Sequence, residues 1–258
     1  AIPRALGCAV SPWPLREVSQ SAESLRDSER CAAARRWALD PGELARLLKA
    51  KTRLVVLNMP HNPTGALMRR DEFEATVELC RKAGAVLLVD EVYRYLERDA
   101  SRRLPAACDA YENGVSLNVL SKSAGLAGLR IGWLASRRAD VLDRVAAIKD
   151  YNSICASGPS ELLAGIALRH FDDIVARNRA LCAANLALLE GFFARRPGFA
   201  GWSGPEGGSI AFPRLTEGSR WKGASGHPDS GCLAELLLAE AGLLILPGST
   251  YDYDPAYF

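Results

Sequence analysis

Three short stretches of the chain are apolar at successive positions rather than at alternate ones: 53–58 (R-L-V-V-L-N), 85–89 (A-V-L-L-V) and 115–120 (V-S-L-N-V-L). Runs of this length that are apolar on both sides suit buried strands of a parallel sheet. A fourth candidate strand, 130–135, follows a glycine-rich turn. Between the first two runs, 71–83 carries Phe73, Val77 and Cys80 at helical spacing, with Gly84 placed to stop the helix in a left-handed conformation. Strand, helix and strand in this order form a βαβ unit, whose right-handed crossover implies an α/β sheet covered by helices on both sides.

Further along, 139–149 and 160–195 read as helices, the second opened by the turn and N-cap Ser157-Gly158-Pro159-Ser160. A helix of that length exceeds the usual globular range and is expected to bridge two domains. After Pro197 the chain turns to Gly, Pro and Trp with short strand-like pieces at 209–212 and 243–246, which suggests a small α+β domain. The expected division is a large α/β domain at 1–157, a linking helix at 158–195 and the small domain at 196–258. Two polar segments, 19–34 and 218–231, read as surface loops or insertions.

Composition narrows the class. The 258 residues are 48% hydrophobic, enough for a substantial core. Lys+Arg 32 against Asp+Glu 30 leaves a formal charge of +2, too even for a nucleic-acid or membrane surface. The seven cysteines are odd in number and contain no C-x-x-C pair, which favours reduced thiols in a cytoplasmic protein. No apolar run approaches the ~20 residues needed to span a bilayer. The opening Ala1-Ile2-Pro3-Arg4 has neither an initiator methionine nor a signal-peptide pattern, so the chain is expected to be the middle of something longer.

Candidate chemistry sits just past the strands, where open α/β sheets bind ligands. The first run exits into Pro60-His61-Asn62-Pro63-Thr64-Gly65, the second into Asp90-Glu91-Val92-Tyr93, the third into Ser121-Lys122, and a glycine-rich stretch then leads to Arg130. Taken singly, each residue has a plainer role. Asn62 could belong to a turn and Asp90 could cap a helix, while Tyr93 could be packing, Lys122 solvated and Arg130 an ion-pair partner. Their order and shared place at strand ends carry more weight than any one of them.

The strings N-M-P-H-N-P-T-G (58–65), L-L-V-D-E-V-Y (87–93) and L-S-K-S-A-G-L-A-G-L-R-I-G-W (120–133) resemble the fold-type I, class I/II aminotransferase family, over most of the chain. The resemblance implies a three-layer α/β/α domain with a mostly parallel sheet, a smaller α+β C-terminal domain, and pyridoxal 5′-phosphate as cofactor. By the same resemblance Lys122 would form a Schiff base with the cofactor aldehyde, then carry a proton to and from the substrate α-carbon. That requires a partly neutral amine, which a partly buried, cation-rich setting encourages. Asp90 would keep the pyridine nitrogen protonated. Asn62 and Tyr93 would donate to the ring's phenolic oxygen, while Ser121 and Arg130 would hold the phosphate. Amino acids and 2-oxo acids are the implied partners, and a homodimer the implied assembly. Pro205-Glu206-Gly207-Gly208-Ser209 and the following 210–212 are similar to the family's glycine-rich strand bordering the substrate pocket.

The chain departs from the family pattern at Val119, where relatives often carry Ser or Thr toward the phosphate. The family's upstream phosphate-cradling turn, its ring-stacking aromatic residue and its carboxylate-gripping arginine are expected to lie outside these 258 residues. Other functions fit the same motifs. V-L-S-K-S (119–123) and P-S-E-L-L (159–163) resemble capreomycidine-synthase-like relatives, which implies a lyase or cyclase acting on a modified amino acid. A non-enzymatic ligand-sensing domain is the third reading.

Overall fold

In the computed structural model the described residues are 2–19 and 35–258, so the expected loop at 19–34, with Cys31 in it, falls outside them apart from the backbone of Ser19. The chain opens with a single helical turn, α1 (Ile2–Ala5), and an antiparallel pair, β1 (Arg16–Ser19) with β2 (Arg35–Ala38). Helix α2 (Pro41–Leu47) follows, capped by Asp40, whose carboxylate accepts the Gly42 N–H at 2.8 Å.

The central sheet has the order β3 (Leu54–Asn58), β4 (Val86–Asp90), β5 (Gly114–Val119), β6 (Gly132–Ser136). The first three strands are parallel and β6 is antiparallel to β5. Helix α3 (Arg70–Ala83) makes the β3–β4 crossover and buries Phe73, Thr76, Val77 and Cys80 on one face. Gly84 ends it at φ 63°, the left-handed stop expected from the sequence. Helix α3, with α2 and the short α4 (Ala107–Ala110), packs Leu44, Phe73, Val77, Cys80 and Ala107 over Val55, Leu57, Leu87 and Val89 of the sheet. On the opposite face of β3, Leu54 and Val56 are exposed. The class is the expected α/β, with a mostly parallel sheet.

After α5 (Ala139–Asn152), the single helix expected over 160–195 is two: α6 (Gly158–Arg169) and α7 (Phe171–Ala194). The break has a local cause. Arg169 closes the last turn of α6, while Asp172 and Asp173 occupy the first turn of α7, each charge complementing the helix end it sits on. Beyond α7 lie β7 (Ala200–Gly201), β8 (Arg214–Leu215) and α8 (Ser230–Ala241). The strands expected at 209–212 and 243–246 do not form; the pairing is made instead by β7 and β8. Their apolar residues serve packing or remain exposed: Phe212 stacks on Tyr257 with centroids 4.9 Å apart, while Leu243 and Leu244 face solvent.

The chain forms two compact units. One comprises Ala1–Asn62, Ala66–Asn178 and Glu206–Gly208; the other comprises Pro63–Gly65, Arg179–Pro205 and Ser209–Phe258. The first holds the sheet. The second has an aromatic core around Phe193, Trp202, Phe212 and Tyr257, and α8, anchored where Ser230 Oγ donates to the Tyr257 carbonyl at 2.6 Å. Among the described residues no helix is long and apolar enough to cross a membrane.

Candidate active site

Because β3, β4 and β5 run parallel, the residues that follow them emerge at one edge of the sheet. In register, Asn58 lies beside Asp90 and Asp90 beside Leu117. Asn58 joins two of the exits: its Nδ2 donates to the Asp90 carbonyl at 3.1 Å, and its Oδ1 accepts the Asn62 N–H at 2.8 Å. Its place in N-M-P-H-N at a strand end was the available signal, although the strand reading alone gave it no role. Asn62 itself is exposed.

Two acids follow one another at the end of β4, and strand alternation gives them opposite surroundings. Glu91 turns inward. It is buried, accepts from the Ala107 N–H at 2.9 Å and from Ser116 Oγ at 2.7 Å, and pairs with Arg94 at 3.5 Å. Asp90 is half-buried and accepts the Val92 N–H at 3.2 Å. Burial raises its pKa above the ordinary carboxylate value and outweighs that hydrogen bond. Such an acid is short of positive charge, and a protonated ring nitrogen placed against it would supply that charge. The donor set therefore fits a pyridine-type cofactor.

Tyr93 is only 2% exposed. A short strap formed by Glu206, Gly207 and Gly208 runs beside it. Gly208 donates its N–H to the Leu96 carbonyl at 3.1 Å, and Arg98 donates to the Glu206 carbonyl at 2.9 Å. The Glu206 carboxylate pairs with Arg102 and accepts the Leu67 N–H at 3.2 Å. Gly208 has φ 79°, and a Cβ there would stand 3.4 Å from the Tyr93 ring. The glycine-rich string was visible in the sequence; that Glu206 ties it to the loops after β3 and β4 was not.

Lys122 begins a reverse turn closed by the Gly125 N–H on the Lys122 carbonyl at 3.0 Å. Its Nζ lies 5.9 Å from the centre of the Tyr93 ring. The expected partial burial of Lys122 is not found. The side chain is exposed, because Ser123 and Ala124 are the turn residues that enter the core. Beyond Val119, Leu120 donates to the Ile131 carbonyl at 3.1 Å, so Ser121 and Arg130 are the next residues outward on the two arms of the β5–β6 hairpin. Ser121 is half-buried. Arg130 is exposed at φ 55°, its guanidinium donating to the Ala127 carbonyl at 3.2 Å. One sheet edge thus presents an amine, a desolvated acid, a buried phenol ring and a hydroxyl with a guanidinium.

Comparison with known proteins agrees with this chemistry. The family model described as aminotransferase class I and II matches residues 23–258. Capreomycidine synthase of Streptomyces vinaceus is 31% identical over 247 residues, 96% of this chain and 57% of that protein. A probable N-succinyldiaminopimelate aminotransferase of Mycobacterium tuberculosis is 35% identical over 147 residues, 56% of this chain and 37% of that one. Among solved structures, a PLP-dependent aminotransferase from Streptococcus suis superposes with a TM-score of 0.82 at 30% identity, covering 99% of this chain and 60% of its own. The PLP-dependent cyclase OrfR gives 0.78 at 30% identity, over 99% and 61%. The chain thus spans little more than half the length of relatives that it matches almost end to end. With the sheet, the strand-end residues and the family match in agreement, the chain belongs to the class I and II aminotransferases.

Proposed function

We propose that this chain is the lysine-bearing part of a pyridoxal-phosphate enzyme that moves an amino group between an amino acid and a 2-oxo acid. The observation that carries this reading is the gathering of Lys122, Asp90 and Tyr93 at one sheet edge, with Lys122 Nζ 5.9 Å from the Tyr93 ring. When bound, the cofactor would supply a carbonyl carbon open to an amine and a ring able to accept an electron pair.

The residues supply the rest. The Lys122 amine would attach the cofactor and, once released, would carry the proton from the substrate α-carbon to the cofactor's former aldehyde carbon. Its exposure keeps the amine within reach of an incoming ligand. Asp90, desolvated by its surroundings, is better satisfied facing a cation than facing water, and so holds a proton on the ring nitrogen. Asn62 and Tyr93 donate to the phenolic oxygen, and Ser121 with Arg130 grips the phosphate across the hairpin end. The exposed apolar residues Ile148, Tyr151 and Ile154, at and just beyond the end of α5, are the surface we assign to a homodimer.

In the full-length protein carrying pyridoxal phosphate, Lys122→Ala is expected to abolish the visible absorption of the bound cofactor and to lower kcat by about 10³-fold. A variant that kept both would refute the reading. A cyclase or lyase is the second reading, favoured by the likeness to capreomycidine synthase and to the OrfR cyclase. An amino donor supplied alone separates the two. A transaminase converts its cofactor to the pyridoxamine form, whereas a lyase or cyclase releases product without that conversion.

A further inference from the structure

Lys122 is held by a turn, not by burial, so whatever stiffens that turn sets where the amine returns after each cycle. Helix α7 provides the brace. Phe171 and Ile174 pack on the small core of Leu120, Ala124 and Ala164 beneath the lysine loop, and Val175 beside them is buried. One turn further on, Asn178 is the polar member of this side of the helix. Its Nδ2 donates to the Ser123 carbonyl at 2.9 Å, and its Oδ1 accepts from Arg177 at 3.3 Å, so both ends of the carboxamide are engaged. Ser123 is 1% exposed. The carboxamide also fills the space over Gly125, where a Cβ would meet Nδ2 at 3.3 Å and where φ is +69°. Gly125 in turn closes the reverse turn on the Lys122 carbonyl.

We propose that Asn178 is a positioning residue for Lys122. By fixing the Ser123 peptide and seating against Gly125, it locks the turn that presents the amine. The proposal rests on the reading of Lys122 as the cofactor-attaching lysine. It concerns placement rather than binding, because Asn178 contacts the turn and not the ligand. A displaced amine loses rate in steps that need its alignment, while affinity for a substrate that it does not grip is preserved.

The test uses the full-length protein and two variants close in shape to asparagine that lack the donor, Asn178→Leu and Asn178→Asp. Pyridoxal phosphate attached at Lys122 is trapped with borohydride and counted by peptide mass spectrometry across pH, alongside kcat, KM and the thermal midpoint. Both variants are expected to trap at Lys122 about tenfold more slowly, with kcat falling in proportion and KM within about twofold. Wild-type protein that traps at Lys122, with variants that match its rate and pH profile, would overturn the proposal alone. Trapping lost only in parallel with the fold in both variants would show a purely structural residue and would also overturn it. Wild-type protein that does not trap at Lys122 would overturn the reading of the lysine, and this inference with it.

Discussion

His61, in the exit from β3, is half-buried, and burial pushes its pKa from 6.5 down to about 4. The folded state therefore favours the neutral ring, while the unfolded chain takes up a proton below pH 6.5. Stability contributed by neutral His61 is present above pH 6.5 and is lost as the pH falls toward 4, by about 3 kcal/mol in full. Asp90 and Glu91, both raised by burial, act in the opposite sense, so the effect is read as a difference. The urea midpoint of wild type relative to His61→Gln should fall as the pH drops from 7 to 4; parallel curves would count against a buried neutral imidazole. At this scale the sequence was legible in placement: the residues after β3, β4 and β5 do emerge at one edge of the sheet. The opposite surroundings of Asp90 and Glu91 were not read from the sequence and emerge from the structure. The exposure of Lys122 was hidden, because it depends on which residues of a turn meet the core.

Glycines mark two element boundaries with different physics. Gly84 ends α3 at φ 63° with open space around it, so Gly84→Ala meets only the backbone penalty, about 1 kcal/mol. Gly114 opens β5, and a Cβ there would stand 2.0 Å from the Ala107 carbonyl oxygen. Gly114→Ala must push α4 off the strand and should cost about 2–3 kcal/mol. Denaturant midpoints at constant slope measure both, and equal losses would contradict the contact at Gly114. Strands β3 to β5 and helix α3 could be read from the apolar runs and the glycine stop, although the expected burial on both sides fails at β3, where Leu54 and Val56 are exposed. The break between α6 and α7 was also written locally, in Arg169, Asp172 and Asp173, but the apolar periodicity runs on through it. Residues 243–246 look like a strand and are not one, because pairing needs a neighbour that composition does not reveal.

Across the whole chain the exposed apolar surface is extensive. It includes Ile148 at 62%, Tyr151 at 92% and Ile154 at 73% exposure. If this is the dimer surface, Ile148→Asp with Tyr151→Asp should shift the full-length protein from dimer to monomer in sedimentation velocity. An unchanged dimer would place the interface elsewhere. The antiparallel fourth strand has a consequence of another kind. Val119 meets Gly132 and Val115 meets Ser136 across the loop 120–131, whereas Val55 reaches Leu87 only after the whole of α3 has been wound. Closing the shorter loop sacrifices less chain entropy, so the strands of the hairpin that carries Lys122 pair at lower entropic cost than β3 and β4, even though its turn is braced by the distant Asn178.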